Sequence, residues 1–220
     1  MTQPLLPRYQ IDMKSREFID SMSLCLAADR VGMNSKARHL KEAGLLTTGA
    51  RGVNAPDMTV TDAARLLLLE LAGEPIVNSV EAAQYYISLL PKYEPSGFFK
   101  GMGLRADVPL EAAVAAFINI SVNPKFQDYL KQHGPQTVGF KLSKFDRSVT
   151  FHFGEETLVY ASELPSWEPE VRVPINEIHL WKNKQKHWGI QSDSRVTALE
   201  LKLIAQIFEL EDEAKEKGQA

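Results

Sequence analysis

The feature that most constrains this chain is a change of hydrophobic period at Gly134-Pro135. Upstream, apolar residues recur at the three-to-four spacing of amphipathic helices. Downstream they alternate with polar neighbours, and helical spacing returns only near the end. Such a pattern must bury several helical stripes and one face of a sheet in the same chain. It therefore predicts an α+β protein: a helical N-terminal part, an antiparallel β-meander and a C-terminal helix.

The helical part reads in pieces. Met1–Met13 carries two prolines and no period, and reads as a lead-in arm. Ser15 is a candidate N-cap for a helix to about Asp29, with Phe18, Met22, Cys25 and Leu26 on one face. Gly32 then interrupts, and Asn34 is expected to cap a second helix through Ala43, with Ala37 and Leu40 inward and Gly44 as its stop. Thr47–Asp57 reads as a loop. Thr59 or Thr61 caps the next helix, striped by Ala64, Leu67, Leu68 and Leu71. Ser79 opens another with Ala82, Ala83, Tyr86 and Leu90 inward, Glu94–Arg105 reads as a loop, and Pro109 starts a helix to about Ile120. A shorter helix covers Lys125–Gln132.

In the meander, Val138, Phe140 and Leu142 alternate with polar residues, as do Val149, Phe151 and Phe153, then Leu158 and Tyr160. Val171 with Val173, Ile178 with Leu180, and Trp188 with Ile190 continue the pattern, giving an expected five or six strands. The final helix is expected from Val196 to Lys215, striped by Val196, Leu199, Leu203, Ile207 and Leu210.

Composition narrows the function classes. The sole cysteine, Cys25, has no partner for an internal disulfide, and the N-terminus lacks an export pattern, which together point to the cytoplasm. Apolar runs such as Leu66–Leu69 and Ala112–Ile118 fall short of the roughly 20 residues of a membrane span. The chain carries a net charge of -3, but Met1–Arg51 is net positive, the basic excess concentrated in Arg30, Lys36, Arg38, Lys41 and Arg51, which only Glu42 opposes within that cluster. A local basic patch can bind phosphates on an otherwise acidic chain.

That patch falls on a patterned segment, AADRVGMNSKARHLKEAGLLTTGAR, residues 27–51. A helix-turn-helix unit needs a small residue at the helix crossing, a glycine in the turn, and a second helix apolar inside and polar outside. Ala28 and Gly32 suit the first two roles, with Val31 and Met33 flanking the turn, and Lys36, Arg38 and His39 form an outer face able to reach phosphates or base edges. The segment resembles winged helix-turn-helix DNA-binding proteins of bacterial and phage regulators, and the combination is similar to phage or prophage open reading frames. RHLKEAGLL, residues 38–46, is similar to the end of a recognition helix, and TTGARGVNAP stands where that family has its wing.

The resemblance implies a winged-helix-like DNA-binding region within residues 1–75, followed by a helical middle region, 76–134, and the β-meander with its helix, 135–220. It implies DNA contacts from Asn34, Ser35, Lys36, Arg38, His39, Lys41, Thr47, Thr48 and Arg51. Lys36 and Arg38 would neutralise phosphates, or Arg38 would chelate a guanine. Asn34 and Ser35 would sit at a helix N-terminus facing a phosphate. Thr47, Thr48 and the wing Arg51 would hold the flanking backbone. The implied partner is double-stranded DNA, engaged by a homodimer in a bacterial or phage-infected cell. The β-module is left for dimerisation, a protein partner or a ligand.

Other motifs point less far. HLWKNKQKHW, residues 179–188, joins basic and aromatic side chains that could stack on single-stranded bases, and equally reads as a hairpin with tryptophan inward and lysines at its tip. His39, His133, His152, His179 and His187 show no zinc-ligand spacing, and Cys25 lies on an apolar face as a core residue would. The glycines at 97, 101 and 103 lack the Lys-Ser/Thr of a phosphate loop. No enzyme activity, cofactor or metal is expected. The expectation is a non-enzymatic DNA-binding regulator, with a phage DNA-packaging or assembly protein, or a protein-interaction or inhibitor module, as the alternatives.

Overall fold

A computed structural model describes residues 14–49, 56–144, 147–162, 194–198 and 200–207. The chain is mixed α+β. Its helices are α1 (Ser15–Cys25), α2 (Arg30–Glu42), α3 (Val60–Ala72), α4 (Ser79–Ser88), α5 (Gly97–Gly101), α6 (Leu110–Ile120) and α7 (Pro124–His133). Strands β1 (Val138–Ser143), β2 (Ser148–Phe153), β3 (Glu156–Tyr160) and β4 (Ser194–Thr197) follow, and residues 200–207 form a C-terminal helix, α8.

Helix ends obey local chemistry. Thr59 caps α3 through a reciprocal box, its side chain accepting from Asp62 N–H while the Asp62 carboxylate accepts from Thr59 N–H. Asn123 accepts from Lys125 N–H ahead of Pro124 at the start of α7. The end of α2 is a Schellman turn. Gly44 N–H donates to Lys41 C=O, Leu45 N–H donates to Leu40 C=O, and Gly44 takes φ 71°, a value a residue without Cβ reaches freely. The expected loop at Glu94–Arg105 contains the short helix α5, whose Phe98 stacks on Phe153 of β2 at 3.5 Å between ring centroids.

The sheet is antiparallel in the order β3-β2-β1-β4. Alternation places Val138, Phe140, Leu142, Val149, Phe151, Leu158 and Tyr160 in the core, in register with Phe140 opposite Phe151 and Leu142 opposite Val149. β4 was expected as the start of the last helix. Instead Phe140 pairs with Val196 across β1–β4, and only afterwards does the chain turn helical. The phase of that helix shifts accordingly: Ala198, Leu201, Ile204 and Ile207 are buried, whereas Leu203 is 40% exposed. The further strands expected around Val171, Ile178 and Trp188, the motif at residues 179–188, and Leu199 and Leu210 lie outside the described residues.

One apolar core joins α1, through Phe18 and Met22, to α3 (Leu66–Leu69), α6 (Val114, Phe117, Ile118), the sheet and α8. Within it α1 packs beside α2 and α2 beside α4, and their outer faces are left in solvent. No helix among the described residues is long and apolar enough to cross a membrane.

Candidate nucleic-acid interface

α1 and α2 are joined by a turn at residues 26–29, a length of about three or four residues that suits a helix-turn-helix unit. The turn is built differently from the sequence expectation. Its left-handed residue is Ala27, at φ 48°, and not Gly32. Asp29 is the N-cap of α2, with its carboxylate accepting from Val31 N–H at 3.3 Å and Gly32 N–H at 2.7 Å. Gly32 therefore lies inside the first turn of α2, where an added Cβ would stand only 2.9 Å from Asp29 Oδ2. α2 begins four positions before Asn34, so Asn34 caps nothing. Its side-chain amide instead donates to Arg30 C=O one turn back.

The early start brings Arg30 and Val31 onto the outer face. Met33, Ala37 and Leu40 are buried, and Val31, Asn34 and Arg38 are exposed along the opposite side. On α1, Arg16, Asp20 and Leu24 share one side at intervals of about one helical turn. Together these helices frame an open groove of ≈ 600 Å³ lined by Arg16, Asp20, Arg30, Val31, Asn34, Ser35 and Arg38. Its rim carries three arginines against one aspartate. Arg30 is paired with Asp20, and Arg38 with Glu42 at 2.8 Å within α2. Both Arg38 and Glu42 are largely solvent-exposed, and such a pair is readily exchanged for another anion. Glu42 raises the pKa of Arg38 and is itself lowered by it, chiefly through their hydrogen bond.

The residues expected to contact DNA divide into two groups. Asn34, Ser35 and Arg38 line the groove, and Thr48 is exposed nearby in sequence on the loop that leaves α2. Lys36, His39, Lys41 and Thr47 are engaged by the protein itself. Lys36 Nζ lies 2.8 Å from Glu70 Oε2 of α3, and its side chain is only 12% exposed. Lys41 hydrogen-bonds Ser15 Oγ, and burial lowers its pKa, partly opposed by Asp62. His39 Nδ1 is 3.1 Å from Ile76 C=O. Thr47 donates through its N–H and Oγ1 to the buried carboxylate of Asp62. Arg51 lies outside the described residues, and residues 45–49 and 56–59 form no strand of a wing.

Sequence reasoning missed Arg16, and it left Arg30 in a charge tally without a site. The available signal for Arg30 was Asp29, a strong N-cap residue directly before it. Elsewhere, a second concavity of ≈ 490 Å³ lies between Tyr85, Leu90, Lys92 and Ser162, and Tyr85 Oη donates to Ser162 Oγ at its rim. No group of three or more metal-capable side chains occurs among the described residues. Comparison with models of known families, with curated proteins and with solved structures finds no match.

Proposed function

We propose that the chain is a non-enzymatic DNA-binding protein, a regulator of bacterial or phage type that docks duplex DNA on the outer face of α1 and α2 as a homodimer. One observation carries the reading: Arg16, Arg30 and Arg38 surround a single groove together with the hydrogen-bonding side chains Asn34 and Ser35. Guanidinium groups make paired hydrogen bonds to phosphate, and amide or hydroxyl side chains along an exposed helix face suit base edges. The groove offers few cations, so a second copy about one DNA turn away supplies the remaining affinity.

The test is a salt series with mixed-sequence duplex DNA, comparing wild type with an Arg16→Ala/Arg38→Ala variant. Wild-type affinity should fall steeply with salt, and the variant should lose affinity and reduce the logarithmic slope by about two. Both side chains are exposed, so the variant should melt with wild type. A wild type with no affinity at low salt removes the proposal. The exposure of Leu24 (83%) beside this face favours a protein-docking role as the second reading, in which DNA affinity is absent and Leu24→Asp abolishes capture of a protein partner.

A further inference from the structure

One side-chain contact on the outer face of the sheet spans three strands. Arg195 of β4 stands opposite Lys141 of β1, yet its guanidinium crosses β1. There Nη2 donates to Gln136 C=O at 3.0 Å and lies 3.2 Å from Nε2 of His152 on β2. The crossing is open because the residue of β1 between them is Gly139, register partner of His152 on one side and of Thr197 on the other, which has no side chain. An arginine only donates, so Nε2 must be the accepting nitrogen, and the single proton of the neutral ring is on Nδ1. The contact therefore exists only while His152 is uncharged. β4 is the shortest strand described, at four residues, and its one neighbour in the sheet is β1. Its far end is anchored by buried Val196 and by Ala198 and Leu201 beyond it. Its near end, Ser194–Arg195, has the ladder to Leu142 and Lys141 and the contacts of Arg195.

A proton on Nε2 removes the acceptor and sets two cations 3.2 Å apart. It also makes Nε2 a donor, which competes with Arg195 for the Gln136 carbonyl. The displaced guanidinium then has Lys141 as its cross-strand neighbour, and like charges directly opposite weaken a strand pair. Among the described residues, the groups around His152 do little to offset this. Thr157 of β3 and Gly139 of β1 are its direct partners and carry no charge. Glu156 of β3 turns its carboxylate to Phe98 N–H, Glu200 of α8 accepts from Thr197, and Glu155 is exposed at the β2–β3 turn. Burial first, and Arg195 second, keep the ring neutral against the Gln136 carbonyl.

The geometry points to a pH-sensitive latch: Arg195 on neutral His152 keeps the Ser194–Arg195 end of β4 on β1, and a proton on His152 lets that end open and bares the Lys141–Leu142 edge of β1. The device lies apart from the α1–α2 face and does not depend on DNA docking.

The experiment is amide hydrogen exchange on the full chain between about pH 7.5 and about pH 5, corrected for the intrinsic pH dependence of exchange. In wild type, protection at residues 141–142 and 194–195 should fall severalfold toward the acid end, while the amides that pair β2 with β3 keep theirs. His152→Gln retains a neutral acceptor for Arg195 and should stay protected throughout. Arg195→Gln, a change at an exposed side chain, removes the like charge. It should flatten the pH response and raise the pH at which the His152 ring titrates by NMR. Three outcomes overturn the latch: wild-type protection that does not change with pH, a loss equal in wild type and His152→Gln or spread evenly over β1–β3, and a His152 that titrates at the wild-type pH in Arg195→Gln.

Discussion

Lys36 Nζ lies 2.8 Å from Glu70 Oε2, and this half-buried pair ties α2 to α3. A cation that sequence alone assigns to phosphate is thus spent on holding the helix that presents the groove. Lys36→Ala should lower stability by about 1–2 kcal/mol, because it leaves the Glu70 charge partly desolvated without its partner. The DNA salt slope should stay at the wild-type value. Denaturant unfolding and a salt series on the same variant check both halves, and the contrast with Arg16→Ala/Arg38→Ala separates support from contact.

Asp62 is 1% exposed and accepts from Thr47 N–H, Thr47 Oγ1, Thr59 N–H and Thr59 Oγ1. One carboxylate therefore clasps both ends of the loop between α2 and α3 and caps α3. Asp62→Ala should cost about 2–4 kcal/mol by losing the cap and stranding buried donors. The measurement is the urea midpoint, together with increased proteolysis between residues 47 and 59.

His152 of β2 has its pKa lowered from 6.5, first by burial and then by Arg195, whose guanidinium lies 3.2 Å from Nε2; the Gln136 backbone opposes the shift. The unfolded chain then binds a proton at a pH where the native protein does not. The stability contributed by neutral His152 is therefore present above about pH 6.5 and lost as pH falls from there toward the native pKa. Melting temperature should drop across that window in wild type and drop less in His152→Gln. An identical pH profile in the two proteins would contradict the assignment.

Gly139 of β1 lies opposite Thr197 of β4, and an added Cβ would collide with the Val196 carbonyl. Gly139→Ala should destabilise by about 2–3 kcal/mol by pushing β4 off β1. Hydrogen exchange should report lost protection at residues 194–197, with β2 and β3 less affected.

What was legible in the sequence was local. The α3 cap, narrowed in sequence to Thr59 or Thr61 and taken by Thr59, the Gly44 stop and the alternation of β1 to β3 depend on residues within a few positions of each other, and each forms where its pattern stands. The start of α2 was misplaced because Asp29 and Asn34 are both capping residues and Gly32 resembles a turn glycine. The bonds from Val31 N–H and Gly32 N–H to the Asp29 carboxylate decide between them. The groove was half legible. Asn34, Ser35 and Arg38 follow from helical phase, but the burial of Lys36 depends on Glu70, 34 residues away, and Arg16 joins only because α1 packs beside α2. β4 was hidden because Val196 falls in phase with the helical pattern beyond it, and pairing with Phe140 overrides that local period.

The strand order β3-β2-β1-β4 has a consequence for biosynthesis. β1, β2 and β3 can zip together as consecutive neighbours as soon as they leave the ribosome. The free edge of β1 must wait for β4, whose Val196 partners Phe140 across 56 positions of sequence. During that interval an apolar strand carrying Phe140 and Leu142 has an open hydrogen-bonding edge, the arrangement most prone to pair with another nascent chain. A ribosome stalled within the segment before Ser194 would hold the sheet in this adhesive form, and synthesis through β4 covers the β1 edge with the short strand Ser194–Thr197.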